Sequence, residues 1–369
     1  MKDFYSFDEY SIPYWIRLLY WGLYVAVFAF AAWKILSSAA KHKQLTDVAG
    51  WFCLFFALYA VFYCINSDYF RYRDWIYGRD FSFWGKERFY VYVIVFCRNL
   101  HFEYPFEVFR LIVWGGAVFI AYHTFRMYRE WLLPGLTLLL LFVFQAGTFS
   151  YARASLAMAV YFLGIALFCT KKSTIPVPLC FLVAMSSYYF HREMLVGVVL
   201  LPCLFIPFER KNMISWSVLG LFLIIAVLTY ASYNSAFWNL FFDNEEITSR
   251  LEEFAEQEQG AFRMSTFINY FKYFYPFYLI TKSFWKRKIP HSVIGMYRIT
   301  YGILMVSVAF MVVSGLRSVY TYRVLYISMI PLSLLMGYGY CNGHFTKKQL
   351  QIMIALALLS NSIRFINAQ

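Results

Sequence analysis

The sequence predicts an all-α fold, a polytopic transmembrane bundle with short and interfacial helices on its outer side. Of the 369 residues, 61% are apolar and 23% aromatic, and only 14% are charged. A soluble domain carries about 25% charged residues, so this composition is typical of a protein that lies in a bilayer. No linker rich in Pro, Ser or Gly divides the apolar segments. We therefore expect a single integral membrane domain over residues 1–369.

Apolar segments recur along the chain and predict about 12 spans, each needing roughly 20 residues to cross the bilayer. Three of them (154–169, 175–190 and 194–208) are short, because about 16 helical residues cover only ~24 Å of a ~30 Å hydrocarbon core. Such short helices occur where they border a cavity lined by protein. The predicted spans lie near 15–35, 48–66, 105–122, 131–149, 154–169, 175–190, 194–208, 213–233, 267–281, 296–313, 324–340 and 350–365.

Basic residues set the predicted orientation of these spans. If the N-terminus lies outside, the inner segments contain fifteen Lys and Arg residues, and each of these segments is basic. This is the distribution expected of cytoplasmic loops, and it places both termini outside. It also accounts for the net charge of +13, so we expect no nucleic-acid partner. The inner segments are 34–47, 122–130, 170–174, 208–213, 282–292 and 341–349.

The basic residues of the predicted outer segments are almost all arginines. The charge rule disfavours basic residues on that side, so their presence needs another reason. A planar guanidinium group binds phosphate through two parallel hydrogen bonds. The outer arginines therefore predict an anionic ligand on the outer face.

The first outer loop, residues 67–104, contains candidates for catalysis and binding. Asp68 is a candidate catalytic carboxylate. A loop held by local Arg–Asp pairs explains the same charges without any ligand. The apolar stretch 88–100 is too short to span and predicts a helix at the outer interface. The candidate substrate-binding residues here interleave Tyr with Arg, which suits sugar stacking and phosphate contact; they are Arg71, Tyr72 and Arg73.

Arg153 and His191 are the other candidate catalytic residues. Arg153 opens a predicted span, where its charge adds to the positive end of the helix dipole and favours a bound anion. An arginine that snorkels to the interface is the simpler explanation. His191 lies in a tight turn beside Arg192 and Glu193, where it can act as a general base or, when protonated, bind phosphate. A satisfied interfacial histidine is the alternative for this residue.

A late outer turn and a long acidic loop complete the predicted outer face. Arg317 and Arg323 flank tyrosines, including Tyr322, in a pattern that suits a phosphate clamp. With Arg192 these three are candidate substrate-binding residues. An aromatic belt with snorkelling arginines is the alternative for the late turn. The loop 234–266 contains seven acidic and two basic residues and predicts a solvated cap.

Four short motifs follow one another along the outer segments. They are Asp68-Tyr69-x-x-Tyr72, Arg153-x-x-Leu156-Ala157, Phe190-His191 and Tyr322-Arg323. Together they resemble the EpsG family, which comprises Wzy-like exopolysaccharide or O-antigen polymerases with many transmembrane helices. Two departures stand out: the family often has Phe-His-x-Ser-Ala, where Glu193 and Met194 follow here, and the arginine usual before the Asp-Tyr pair is missing.

The resemblance implies transfer of a glycan from an undecaprenyl-diphosphate carrier to a lipid-linked repeat unit, at the outer face of the bacterial inner (plasma) membrane. Arginines would stabilise the leaving diphosphate, and His191 or Asp68 would activate or position the acceptor hydroxyl. The implied partners are the lipid-linked oligosaccharide, membrane lipid and a chain-length regulator. No P-loop, HExxH, GxSxG or metal-type His/Cys spacing occurs in the sequence, so we expect neither metal nor cofactor.

Two alternatives stay open at this point. A flippase or exporter of the same lipid-linked glycan would also need cationic contacts, but it should distribute them along a central path. A membrane O-acyltransferase using His191 would need a donor site at the inner face. The charges of this sequence cluster at the predicted outer face, which favours transfer chemistry there.

Overall fold

The computed structural model describes residues 67–78, 87–99, 104–128, 152–170, 175–206, 220–227, 229, 264–285, 290–314 and 319–367, with scattered positions between 15 and 30. Within these residues the secondary structure is helical and no strand occurs, which confirms the all-α class. The predicted spans 48–66 and 131–149 and residues 234–263 of the acidic loop lie outside the described residues. The total of about 12 spans stays a prediction.

The helices are numbered here in chain order. They are α1 (Ser67–Ile76), α2 (Arg88–Asn99), α3 (Pro105–Arg126, with a π-helical turn at Leu111–Gly115), α4 (Ala152–Thr170), α5 (Val177–Phe190), α6 (Leu195–Val199), α7 (Met264–Phe284), α8 (His291–Ser314), α9 (Val319–Ile327), α10 (Met329–Cys341) and α11 (Lys347–Asn367). Two 3₁₀ turns, Arg192–Met194 and Leu201–Phe205, flank α6.

Three helices of the described part of the chain are long and apolar enough to cross a membrane: Pro105–Arg126, Arg153–Thr170 and His291–Val312. For α4 this corrects the sequence-based expectation of a short segment at 154–169. The helix has 19 residues and is therefore about 28 Å long. α5, with 14 residues, is short as expected.

The predicted span 194–208 is not one helix. After the five residues of α6 the chain continues as the 3₁₀ turn Leu201–Phe205, because Pro202 has no N–H with which to continue an α-helix. The guanidinium group of Arg298, on α8, donates a hydrogen bond to the carbonyl of Leu204 in this turn. A carbonyl that the interrupted helix leaves open is thereby satisfied.

The predicted span 324–340 is also interrupted. α9 and α10 meet at Ser328, whose hydroxyl donates to the carbonyl of Leu325 at 2.6 Å. Three residues later Pro331 can neither donate to the carbonyl of Ile327 nor pack against it as an ordinary residue would. A proline at this position explains why two helices replace the single one.

α4 and α10 lie at the centre of the larger hydrophobic core. Most of their side chains are buried on every face, as in a helix surrounded by others rather than one with a single apolar stripe. α7, α8 and α11 pack around them. A second core joins α1, α2 and α3 through an aromatic cluster that includes Tyr72, Trp75, Tyr90, Phe109 and Trp114.

α4 and α5 approach each other closely enough for their backbones to touch. A Cβ atom added to Gly164 would lie 2.5 Å from the backbone nitrogen of Ala184 and 2.6 Å from the carbonyl oxygen of Cys180. Only glycine fits at such a crossing. Five residues after Gly164 on α4, the side chain of Cys169 lies against Gly295 of α8. These contacts set the position of α4 relative to α5 and α8.

Candidate functional site

Five charged side chains from four separate segments meet near the N-terminal end of α4. They precede α2, begin α4, follow α5 and lie on α9. Along the chain of contacts their charges alternate in sign. We call this group the ion-pair network; its members are Arg153, Glu87, His191, Glu193 and Arg323.

Glu87 and Glu193 each bridge His191 to one arginine. One oxygen of Glu87 lies 2.7 Å from Nη1 of Arg153, and the other lies 2.9 Å from Nδ1 of His191. On the far side of the ring, Nε2 of His191 lies 3.1 Å from Oε2 of Glu193. The other oxygen of Glu193 pairs with Nη1 of Arg323.

Two helix starts place Glu87 beside Arg153. The carbonyl of Glu87 accepts hydrogen bonds from the N–H groups of Tyr90 and Val91, so this residue lies at the N-terminal end of α2, where a negative charge complements the helix dipole. The hydroxyl of Tyr90, a fully buried residue, donates to the carbonyl of Arg153 at 3.0 Å. The anion that the sequence suggested near Arg153 is thus supplied, in this structure, by the protein's own Glu87.

The end of α5 places His191 and Glu193. His191 has an extended backbone, with φ −160° and ψ 123°, and so terminates α5 before the 3₁₀ turn that contains Glu193. The rings of Phe89 and Phe190, 4.4 Å apart, hold α2 against the end of α5. α9 is held at the start of α4, where the hydroxyls of Ser155 and Tyr326 are 3.5 Å apart.

The contacts of His191 indicate its protonation state. An ionised carboxylate only accepts hydrogen bonds, so a ring nitrogen that bonds to one must carry a proton. Both ring nitrogens of His191 face carboxylate oxygens. The ring is therefore an imidazolium ion in this arrangement, and it has no lone pair with which to accept a proton.

The pKa values of the three titratable members agree with this assignment. Burial acts to lower the pKa of His191, but Glu193 and Glu87 raise it to about 9. Burial acts to raise the pKa of Glu193, but the charges of His191, Arg323 and Arg153 lower it to about 2. The pKa of Glu87 also lies well below its usual value, since Arg153 and His191 outweigh the effect of burial.

A family model described as the EpsG family matches residues 50–368, which is most of the chain and includes the whole ion-pair network. The chain belongs to the EpsG family. This confirms the resemblance carried by the four short motifs. The search of curated proteins and the search of solved structures returned no match. EpsG membership supports a membrane polysaccharide polymerase in general terms.

The structure brings together three of the site residues predicted from the EpsG motifs: Arg153, His191 and Arg323. Arg192, predicted to bind substrate, opens the 3₁₀ turn between His191 and Glu193 and is half-buried. It therefore lies next to the network along the chain.

The EpsG motif residues of the predicted first outer loop lie on α1. Tyr72 is buried, with its ring against Trp75 and Phe109 at centroid distances of 5.1 and 5.2 Å, and Arg73 is buried as well. In this arrangement the ring of Tyr72 contributes to the aromatic core. Asp68 and Arg71 have helical backbones, and the structure does not describe their side chains.

The late EpsG motif is described only in part. Tyr322 lies in α9 next to Arg323, but its side chain is not among the described residues, and Arg317 lies outside them entirely. The roles predicted for Asp68, Arg71, Arg317 and Tyr322 stay predictions.

The sequence-based site omitted both carboxylates of the network. Glu193 follows His191 by two residues, so its proximity was visible in the sequence, although its pairing with Arg323 was not. Glu87 lies 66 residues before Arg153 and 104 before His191, and only the packing of α2 on α4 and α5 unites them. An acidic residue just before an aromatic helix, in a loop rich in arginines, was the one signal available. Among the described residues, no group of three or more His, Cys, Asp or Glu side chains is arranged to hold a metal ion.

Proposed function

We propose that this EpsG-family protein is a polysaccharide polymerase that transfers a glycan from an undecaprenyl-diphosphate carrier to a lipid-linked repeat unit. We place the reaction at the outer face of the bacterial inner membrane. The observation that carries the proposal is the convergence of Arg153, His191 and Arg323, from three separate motifs, into one network. Three cations against two carboxylates leave this network with an excess positive charge.

An excess of positive charge suits the leaving group of this reaction. When the bond between the donor sugar and the carrier phosphate breaks, negative charge develops on the diphosphate. Guanidinium groups held in place before the reaction stabilise that charge without having to reorganise. Arg153 and Arg323 are the members that can meet the diphosphate, because they are the most exposed of the five.

His191 contributes to this mechanism as a cation. With both ring nitrogens bonded to carboxylates, it holds Glu87 and Glu193 in place and adds positive charge beside the arginines. Activation of the acceptor hydroxyl then requires another group. The proposal gives that role to Asp68, the carboxylate of the first EpsG motif.

The test is chain elongation by the purified full-length protein, reconstituted in lipid vesicles with an undecaprenyl-diphosphate-linked oligosaccharide. Arg153→Lys and Arg323→Lys keep the charge but lose the bidentate geometry, so we expect each to slow elongation at least ~10-fold. Arg126→Lys is the matched control, since Arg126 is exposed in the last turn of α3 and lies outside the network. It should elongate at the rate of the unaltered protein.

Three results would contradict the proposal. Transport of the lipid-linked oligosaccharide across the vesicle membrane without elongation would identify an exporter. Acyl transfer to the glycan without elongation would identify an acyltransferase. Normal elongation by both lysine variants would show that the guanidinium groups are not needed for the reaction.

A further inference from the structure

The two arginines of the ion-pair network are already paired with carboxylates of the protein. Each guanidinium group is bonded to a carboxylate of the protein: Arg153 to Glu87, and Arg323 to Glu193. A phosphate that binds either arginine must therefore compete with a carboxylate that is already in place. This competition affects how tightly, and for how long, an anionic ligand is held.

Exposure shows where an incoming anion meets the network. The side chains of Arg153 and Arg323 are 21% and 17% exposed, whereas those of Glu87 and Glu193 are 8% and 12% exposed. The arginines form the two ends of the network and the carboxylates lie between them and His191. An anion therefore reaches a guanidinium group before it reaches any other member.

The two carboxylates differ in how firmly the fold holds them. Glu87 precedes a twelve-residue helix, and Tyr90, three residues after it, is fully buried and donates a hydrogen bond to the carbonyl of Arg153. Glu193 is the middle residue of a three-residue 3₁₀ turn and is the more exposed of the two. Glu193 can be displaced by a small change in that turn, whereas displacing Glu87 disturbs the start of α2.

The position of Glu193 is also the one that a phosphate would take. Its two oxygens are bonded to Nε2 of His191 and to Nη1 of Arg323, so it lies between two cations. A phosphate group offers the same kind of acceptor oxygens with more negative charge. It can replace the carboxylate at both partners.

We propose that Glu193 is an internal competitor for phosphate. It occupies Arg323 and His191 while the site is empty, gives way when the carrier's diphosphate binds, and returns as the product diphosphate leaves. The identity of the diphosphate as a lipid carrier rests on the proposed function, whereas competition with phosphate does not. When a ligand must displace an internal partner, only the fraction of sites in which that partner has moved away can bind it. The apparent affinity of the ligand is reduced by that fraction. Glu193 thus lowers the affinity of the site for the diphosphate and speeds the release of the product.

The first experiment measures binding of inorganic pyrophosphate to the purified full chain by calorimetry. Glu193→Gln removes the competing charge while keeping the size of the side chain, so we expect pyrophosphate to bind about tenfold more tightly. Glu193→Ser, which introduces the residue that the resembled motif often has there, should give the same gain. Glu107→Gln removes a carboxylate in the first turn of α3, outside the network, and should leave the affinity unchanged.

A double variant tests whether the gain arises at Arg323. In the Arg323→Gln background the replacement Glu193→Gln should give less than the tenfold gain, because the guanidinium group that the phosphate would take over is missing. Thermal unfolding checks that each variant is folded. If Glu193→Gln is not folded, Glu193→Ser replaces it in the binding measurement. If both Glu193 variants bind pyrophosphate no more tightly than the unaltered protein, the proposal is wrong.

The second experiment follows elongation with the lipid-linked oligosaccharide. In Glu193→Gln we expect a lower KM for the donor, a lower kcat and about tenfold stronger inhibition by undecaprenyl diphosphate, because the product leaves more slowly. A merely structural role would lower activity without strengthening that inhibition, and this outcome would overturn the proposal. If the unaltered protein does not elongate at all, the proposed function fails, while the pyrophosphate measurement still decides the role of Glu193.

Discussion

At the scale of single residues, the site depends on charges that the protein buries in contact with one another. A buried charge that keeps its partner is tolerated, but removal of one partner leaves the other uncompensated, at a cost of about 3–5 kcal/mol. His191 is the central case, because two carboxylates depend on it. A neutral His191 would leave Glu87 and Glu193 with one arginine each. The ionisation of this ring therefore couples pH to the integrity of the site.

We predict that the stability of the protein falls as the pH rises through the pKa of His191. Burial acts to lower that pKa, but Glu193 and Glu87 raise it from 6.5 to about 9. Arg153 and Arg323 pair with the far oxygens of these two carboxylates. The stabilisation is complete below pH 6.5 and is lost as the pH rises through about 9. The pKa of Glu193 is lowered, so its contribution is present above 4.5 and is lost only as the pH falls through about 2.

The measurement is thermal unfolding in detergent at about pH 6 and about pH 9.5, where the fraction of protonated His191 differs most. The unaltered protein should unfold at a lower temperature at the higher pH. In His191→Gln, whose side chain cannot ionise, the fall in unfolding temperature between the two pH values should be smaller. An equal loss in both proteins would show that His191 is not the ion that stabilises the network.

At the scale of helices, the network exists because α4 lies close to both α5 and α9. Arg153 begins α4, His191 follows α5, and Arg323 lies on α9. The approach of α4 to α5 depends on Gly164, where the two backbones touch. Small residues permit such close approach between helices in membranes. A substitution at Gly164, eleven residues after Arg153, should therefore alter the site by shifting α4 relative to α5.

We predict that Gly164→Ala destabilises the protein by roughly 1–3 kcal/mol, the usual cost of overpacking. The added methyl group would meet backbone atoms of Ala184 and Cys180, which cannot move aside as a side chain can. Elongation should fall as well, since the separation of α4 from α5 pulls Arg153 and Glu87 away from His191.

Gly116→Ala is the matched control for this change. Its added methyl group would lie 3.7 Å from Cδ1 of Leu156, an ordinary van der Waals contact. It should leave the unfolding temperature unchanged or raise it slightly, because alanine favours helix more than glycine does. If both alanine variants unfold at the same temperature, the close crossing at Gly164 does not hold the two helices.

At the scale of the whole molecule, the network and the helix ends that adjoin the basic segments lie toward opposite ends of α4. α4 has Arg153 at one end, and at the other Cys169 lies against Gly295, near the start of α8. Tyr128, just after α3, donates to the carbonyl of Ser292 at that same end. The nearby sequence is rich in lysine and arginine, from Arg126 through Lys171 to Lys288. By the charge rule we expect this end to face the cytoplasm and the network to face outward.

We predict that reporters fused at the two ends report opposite sides of the membrane. Alkaline phosphatase fused after Gln369 should be active, and green fluorescent protein at the same position should be dark. Fusions after Lys288, in a predicted inner segment, should give the reverse result. The amounts of each fusion, measured by immunoblot, serve as the control. A fluorescent fusion after Gln369 would invert the orientation and move the proposed reaction to the inner face.

Much of this protein follows from local sequence. The all-helical class follows from composition, and α3, α5 and α8 follow from apolar runs. Arg153, His191 and Arg323 were found because basic or ionisable residues at span ends are exceptions to rules that the rest of the sequence obeys. These signals are local, so they need no knowledge of which segments touch.

Only the tertiary structure decided which charges meet. The role of Glu87 arises from the packing of α2 against α4 and α5, across separations that no periodicity encodes. The same packing gives both nitrogens of His191 a carboxylate partner, so that of the two states expected for the ring, general base or cation, it has the second. It also places Tyr72 in an aromatic core rather than on an open surface. The sequence by itself pointed to Arg153, His191 and Arg323 as candidates, and the folded arrangement determined their partners, because pairing between charges depends on distances in space rather than along the chain.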